Sequence, residues 1–442
     1  MMAESSLDEA SQKLIDSLHQ TLTFLLGNPY PTIPNPPSCK KRASVALILR
    51  IRPSFTHPQP PNALLSDLTT SRSPSAQLSA FFSQSWVRLG SPECVFIKRS
   101  ARVGDRWTSH VALPGGKRDP EDANDRETAI RETAEEVGLD LTDGSVICVG
   151  NLPERVVSTS WGKVPIMVLC PYVFIYTNAD VPPVKLQPTE VASTHWVPLR
   201  VLLSPSSRTY EYVDVSDRFA RQGGIATKAL LRSVLWKMRF SAIRLIPSES
   251  VYCSSTAEFF PPQEFQPANQ LSSSVASKLY SWYLGDNAAS ADKERPLLLW
   301  GLTLGVLADF LDQLPPHNAV TLWSYPTFTT WDARFIIHIL TLRLKKHNTS
   351  KLRRANQTAI DSEAVAIAAR RDNPWFIGGL SEGPKDGKGK GKGEGERKYA
   401  VGVMLEGYYD MARRGVWLAI LGRTVAGLAV IAWVVRWYKR KT

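Results

Sequence analysis

Residues 113–139 read LPGGKRDPEDANDRETAIRETAEEVGL, and the rest of the chain is best understood outward from them. A Pro-Gly-Gly turn leads into an acidic loop and then a helix expected to begin near Asp125. On that helix Glu132, Glu135 and Glu136 stand at i, i+3 and i+4, sharing an arc of about 100°. Ile130, Ala134 and Val137 are expected on roughly the opposite side. Three carboxylates on one face repel one another, so a solitary helix gains nothing from them. A hard divalent cation removes that repulsion, because Mg²⁺ and Mn²⁺ take oxygen ligands and keep waters available for chemistry.

Glu-rich helices are commonly solvated surface, and the flanking residues set this one apart. Gly115 and Gly116 let the backbone approach closely, so that Gly115 can offer its carbonyl to a cation where a side chain would obstruct. Arg131 points off the carboxylate arc, able to orient a glutamate or the neighbouring loop. Gly138 suits a left-handed C-cap.

Around this run, residues 44–51 (SVALILRI) read as a buried strand, 94–98 as the next and 164–175 as a long one. A short strand at 194–197 is expected to enter a helix over 198–203. Leu7, Leu14, Leu18, Leu22 and Leu25 predict an amphipathic helix over 6–26, ended by Gly27-Asn28-Pro29 and a proline-rich linker. Residues 53–92 are rich in Pro and Ser and read as a surface insertion with one short helix near 77–87. A second irregular stretch runs from about 204 to 295, with helical potential near 225–240. Residues 297–311 are too short to span a bilayer and contain Asp309, so a buried core helix is expected.

The segment resembles the signature box of the Nudix hydrolases: Gly116, Asp122, then Arg131-Glu132-Thr133-Ala134-Glu135-Glu136-Val137-Gly138-Leu139. The spacer before Arg131 is one residue longer than usual and Thr133 fills an apolar slot. The longer spacer, with GGKRDPxD, is similar to the subgroup acting on coenzyme A. Ile97-Lys98-Arg99-Ser100 with Gly104 and Leu113-Pro114-Gly115-Gly116 resembles that subgroup's upstream motif, although Leu113 replaces an aromatic and Ser109-His110 a Gly-acid pair. Glu190-Val191 with Trp196–Leu199, and Trp300-Gly301-Leu302-Thr303, resemble later family segments. The resemblance implies an α/β fold: a Nudix-type α/β/α sandwich with a mixed sheet over about 40–315, interrupted at 53–92 and 204–295. It also implies metal-dependent hydrolysis of a diphosphate joined to another moiety. For the coenzyme A subgroup the products are adenosine 3′,5′-bisphosphate and phosphopantetheine or its acylated form.

The catalytic set is then Arg131, Glu132, Glu135 and Glu136, with Gly115 and the three glutamates holding Mg²⁺ or Mn²⁺. Arg99, Lys117 and Arg118 are fixed cations near the turn and candidates for contacting substrate phosphates. Glu154 and Glu190 are candidates for the general base, Glu190 being the more readily read as a structural strand residue. His110 and His195 read as loop and core histidines. Another nucleoside diphosphate linked to a different moiety is the alternative substrate, and a non-catalytic binding protein the alternative class.

Length and charge divide the chain further. Its 442 residues carry 53 Lys and Arg against 41 Asp and Glu. Residues 316–442 hold 22 of the bases and 10 of the acids, leaving 31 of each before them. The enzyme-like part is neutral, which argues against a nucleic-acid-coating protein. Five scattered cysteines without a CxxC pair disfavour zinc and disulfide frameworks. The N-terminus, with Glu4, Asp8 and Glu9, resembles neither a signal nor a transit peptide. Residues 1–39 read as helix and linker, 316–377 as a basic helical region, 378–398 as a Gly/Lys-rich linker and 399–442 as a membrane-anchor region.

Within that last region, residues 415–435 are apolar apart from Arg423 and Thr424, about 31 Å of helix. Arg413-Arg414 precede them and a basic aromatic tail follows, as expected at bilayer interfaces. Arg423 is the objection, costing about 2.5–3.5 kcal/mol near a helix centre on insertion scales. A single transmembrane anchor is the favoured reading, with an interfacial helix or a buried soluble helix as alternatives. The anchor would place the catalytic part in the cytosol, on a membrane such as the mitochondrial outer or the peroxisomal.

Overall fold

The chain opens with α1 (Met2–Gly27) and β1 (Arg42–Arg52) in a computed structural model describing residues 2–59, 73–101, 108–159, 164–214, 237–253, 296–315, 317, 323–372 and 400–441. There follow α2 (Pro74–Phe82), α3 (Ser85–Arg88), β2 (Ser91–Arg99), β3 (Val111–Ala112), β4 (Gly115–Lys117) and α4 (Asp125–Val137). Next come β5 (Val146–Asn151), β6 (Arg155–Thr159), β7 (Val164–Tyr176), β8 (Val191–Pro198) and α5 (Leu199–Leu203). The remainder is β9 (Arg208–Asp214), β10 (Lys237–Arg244), β11 (Glu249–Tyr252), β12 (Leu298–Trp300), α6 (Gly301–Leu311) and β13 (Thr327–Phe328), then α7 (Trp331–Asp372), α8 (Ala400–Leu405) and α9 (Tyr408–Lys439).

The main sheet runs β11-β8-β2-β1-β7-β5, with β3 beside β2, β4 beside β1 and β6 beside β7. β1 and β7 are parallel and the other pairs antiparallel, so the sheet is mixed. The unbroken apolar run in β1 follows from burial of both its faces. Ala46 and Ile48 join the core under α4, with Ala129 and Val137. Leu47, Leu49 and Ile51 join the opposite core, with α1, α2, α3 and α6. This is the α/β/α sandwich. Ile15, Leu18, Leu22 and Leu25 form the buried stripe of α1.

Two expectations are corrected here. The part of 53–92 that is described is not a surface insertion: Leu78, Phe81, Phe82, Trp86 and Val87 of α2 and α3 are all buried against the sheet. The short helix expected near 77–87 is present as two, 74–82 and 85–88, the first capped by Ser73 ahead of Pro74, where proline suits a helix; its burial is what the proline and serine content concealed. The second stretch contributes β9, β10 and β11. β11 extends the main sheet, while β10 pairs with β9, β12 and β13 in a second, four-stranded sheet. The helix expected near 225–240 lies largely outside the described residues, but 237–240 is strand, because KMRFSAIR finds antiparallel partners in that sheet. The linker at 378–398 also lies outside the described residues.

Phe81 tests the packing of this segment. Phe81→Ala is expected to destabilise the full chain by about 3–5 kcal/mol in denaturant unfolding. A change below about 0.5 kcal/mol, typical of a surface site, would contradict it.

Candidate active site

Antiparallel pairing of β4 with β1 sets Gly115 opposite Val45. Its φ of +144° and the Ser44 carbonyl, 2.2 Å from where a Cβ would stand, exclude a side chain there. The Gly115 N–H donates to Glu136 Oε2 at 2.8 Å. At Gly116 a Cβ would fall 2.3 Å from the Glu132 carboxylate. Both glycines are thus spaces kept for the glutamates of α4.

α4 begins after Asn124, whose side chain accepts from the Glu127 N–H at 3.0 Å. It ends at Gly138, φ +71°, in the left-handed cap. The arc of carboxylates is graded by depth. Glu136 is 1% exposed, the Glu132 side chain 13% and that of Glu135 57%. The expected opposite face is corrected accordingly: Ala134 is exposed, while Ala129, Thr133 and Glu136 turn to the sheet. Thr133 satisfies its hydroxyl by donating to the Ala129 carbonyl at 2.7 Å, which lets a polar residue fill an apolar slot.

Arg131 holds the rim. It donates from Nε and Nη2 to the two Asp122 oxygens at 2.9 and 3.0 Å, from Nη1 to Glu135 Oε2 at 2.9 Å and from Nη2 to Glu132 Oε1 at 3.1 Å. Asp122 also accepts from the Asp119 N–H and the Thr128 hydroxyl. The Arg131 guanidinium thereby holds the Asp122 carboxyl well below the usual range.

Glu190 completes the site. Residues 185–190 bind the C-terminal end of α4, Lys185 N–H donating to the Val137 carbonyl and Gln187 N–H to that of Glu136. Carboxylate oxygens of Glu132, Glu136 and Glu190 then lie within 4.8 Å of one another. Burial raises the Glu136 pKa to about 8, with Glu132 and Glu190 adding to the shift and the Gly115 N–H and Arg99 opposing it. Burial raises that of Glu132 too, against the pull of Arg131. Carboxylate oxygens converging where burial opposes ionisation of Glu132 and Glu136 fit a hard divalent cation, which would replace protons as the compensating charge. Glu135 stands apart, exposed and paired with Arg131. The sequence carried only a weak sign of Glu190, an acid just ahead of a strand.

Other expected residues are placed as follows. Arg99 Nη1 lies 3.8 Å from Glu136 Oε1. Lys117 is exposed at the end of β4. Arg118 is engaged by the acidic loop, donating to the Asp122 and Ala123 carbonyls and pairing with Asp125. Glu154 lies in a separate buried group with Asp125 and Cys170, and Arg42 sits among them, donating to all three. That guanidinium supplies the charge a cation would, so the group is an ion-pair network. His195 is buried between the Ser193 and Ser250 hydroxyls. His110 packs on Trp300. Gly104 lies outside the described residues.

A family profile described as NUDIX domain matches residues 86–217. An uncharacterized protein of Schizosaccharomyces pombe, C14C4.10c, is 32% identical over 320 residues, 71% of this chain and 79% of that protein. The mouse protein named mitochondrial coenzyme A diphosphatase NUDT8 is 44% identical over 52 residues, 12% of this chain and 25% of its own length. Among solved structures, a MutT/nudix family protein from Enterococcus faecalis aligns with 43% of this chain and 55% of its own, at 14% identity and a TM-score of 0.22. The chain belongs to the Nudix hydrolases, as a pyrophosphohydrolase acting on diphosphate bonds of small molecules.

Proposed function

We propose that this enzyme is a Mg²⁺- or Mn²⁺-dependent diphosphatase of coenzyme A or its thioesters, held at a membrane by α9. The observation that carries the catalytic reading is the convergence of Glu132, Glu136 and Glu190 beside Gly115. The substrate reading is supported by GGKRDPxD at 115–122 and by the likeness to a protein named as a coenzyme A diphosphatase.

A diphosphate repels an incoming hydroxide, and a bound Mg²⁺ or Mn²⁺ supplies charge neutralisation and a more acidic water. The residues of the chain do the rest. Glu132 and Glu136 are the principal ligands, with Gly115 fixing the second through its N–H. Glu190, on a loop facing them, is placed to ligate or to take the proton from water. Arg131 positions Glu132 and the acidic loop together. Arg99 and Lys117 bring positive charge toward the substrate phosphates, whereas Arg118 keeps the loop in shape. Cleavage would release adenosine 3′,5′-bisphosphate and phosphopantetheine or its acylated form.

α9 is the one helix among the described residues long and apolar enough to cross a bilayer, and residues 424–441 are exposed all round. Such a surface suits a membrane better than water. The catalytic body would face the cytosol, from the mitochondrial outer or the peroxisomal membrane.

Glu136→Gln is expected to abolish metal-dependent product release without lowering the melting temperature of the metal-free chain, since the amide oxygen can still accept from the Gly115 N–H. The parent should melt higher when Mn²⁺ is added and the variant should not. Full activity in the variant would refute the metal role. Glu190→Gln should cut kcat by about 10²–10⁴-fold, and Glu135→Gln by much less; the reverse order would move the site outward on α4. In a screen of diphosphates with the full chain, coenzyme A or an acyl thioester should be the best substrate, with activity lost to EDTA and restored by Mg²⁺ or Mn²⁺. Preference for a nucleotide sugar or dinucleotide would overturn the substrate reading. After alkaline carbonate extraction the protein should stay in the membrane pellet, and its release would dismiss the anchor.

A further inference from the structure

α7 and α9 pack antiparallel. Gly415 lies against Ile337, where a Cβ would be 2.6 Å from the isoleucine side chain, and Gly407 lies near Leu344. Ala333, Ile337, Tyr408, Ala412, Val416 and Ala419 bury the seam. At its far end Asp332 Oδ1 and Oδ2 accept from Nη2 and Nε of Arg423, each at 2.5 Å. Beyond Arg423 the helix is exposed on every side from 424 to 441.

Length then poses a problem for an anchor made of α9 alone. From residue 424 to 435 there are 12 residues, about 18 Å of helix. The hydrocarbon layer is about 30 Å thick and needs about 20 residues. Counting back from Val435, those 20 begin near Val416, inside the seam with α7. Whatever lies beside residues 416–423 must share the near leaflet.

The neighbouring face of α7 is built for that. Trp331, Phe335, Ile339 and Leu342 are exposed, by 76, 60, 51 and 39%, and their spacing of four, four and three forms one stripe. Arg334, His338 and Arg343 are exposed along its margins, where long basic side chains reach headgroups while their stems lie over lipid. Trp417, Leu418 and Leu421 are exposed on α9 at the same level. The covered seam faces the other way, toward Phe328 and Met238 of the second sheet.

We propose that the membrane-embedded element is a two-helix wedge, in which Trp331 and Phe335 enter the near leaflet beside α9, with Ile339 and Leu342 at its headgroup boundary, and Asp332 neutralises Arg423 there. The proposal rests on the anchor reading above and goes beyond it in the element, the depth and the ion pair. It also answers the sequence objection to Arg423: the arginine enters lipid as one half of a bidentate pair.

The test uses the full chain in phosphatidylcholine vesicles containing phosphatidylserine. An environment-sensitive fluorophore is attached to single introduced cysteines, F335C in the stripe, L428C in the exposed part of α9 and S350C on an exposed polar position of α7. The unsubstituted chain gives the background from its own cysteines. A lipid-borne doxyl quencher should at least halve the emission at 335 and 428 and leave 350 unchanged. Quenching at 428 without 335 overturns the wedge and leaves the anchor standing; quenching at neither overturns both. Asp332→Ala should lower the carbonate-resistant fraction several-fold, and adding Arg423→Leu should restore it. An unaffected Asp332→Ala protein would remove the ion pair from the proposal.

Discussion

The Gly115 N–H donates to the Glu136 carboxyl at 2.8 Å from a backbone pressed against Ser44 and Val45 of β1. That contact ties the central strand, the glycine turn and α4 into one piece. It needs a residue without a side chain at 115, a helix packed close enough to reach it, and a buried carboxyl that accepts. Removal of any of these leaves a buried polar group unmatched, at a cost of about 1–3 kcal/mol. The rest of the site is arranged around the resulting fixed point: Glu132 one turn earlier at the rim, and Glu190 carried in by a loop bonded to the end of the same helix.

Charge is handled in two contrasting ways on the two sides of α4. Near its start, Asp125, Glu154 and Cys170 surround Arg42, and the guanidinium compensates them within the protein. On the catalytic side, Arg131 is drawn outward to Asp122, Glu135 and Glu132, while Glu136 faces the Arg99 guanidinium across a longer 3.8 Å. An acidic group with a built-in cation is finished structure. One that raises its own carboxyl pKa is under-compensated, and binding of a cation relieves it. This contrast, rather than the number of acids, separates the two buried clusters.

The box from Gly115 to Gly138 was legible because its chemistry is local: glycines, a capped helix and carboxylates at i, i+3 and i+4. Strands β1, β2 and β7 were legible for the same reason, as apolar runs. What escaped was set by distant partners. Helical spacing alone could not say which glutamate faced the sheet, because Glu136 is drawn inward by Gly115 and Glu135 outward by Arg131. Glu190 is brought to the site by main-chain bonds, those of Lys185 and Gln187 to α4 and that of its own carbonyl to the Ser100 N–H. Phe81 and Trp86 are core residues hidden in a Pro/Ser-rich stretch, and β10 is a strand because β9, β12 and β13 meet it.

The tail is continuous with this body. Asp309 of α6, fully buried, accepts from Arg155 of β6 and from the Val401 N–H at the start of α8. Burial raises its pKa while Arg155 pulls it down. Such a pair contributes little net stability against its desolvation, but either partner alone would be costly, so it fixes register more than it adds strength. β6 pairs with β7, β7 runs parallel to β1, and β1 holds Gly115. The Tyr408 hydroxyl donates to the Pro326 carbonyl just before β13, so α9 is fastened to the second sheet as well. Two independent attachments therefore set where α9 leaves the body, and with it the distance between an under-compensated acidic site and the basic end of the chain. Residues 409–442, beyond those attachments, carry seven Lys and Arg against one Asp, so half of the chain's net charge of +12 lies along α9 and its end.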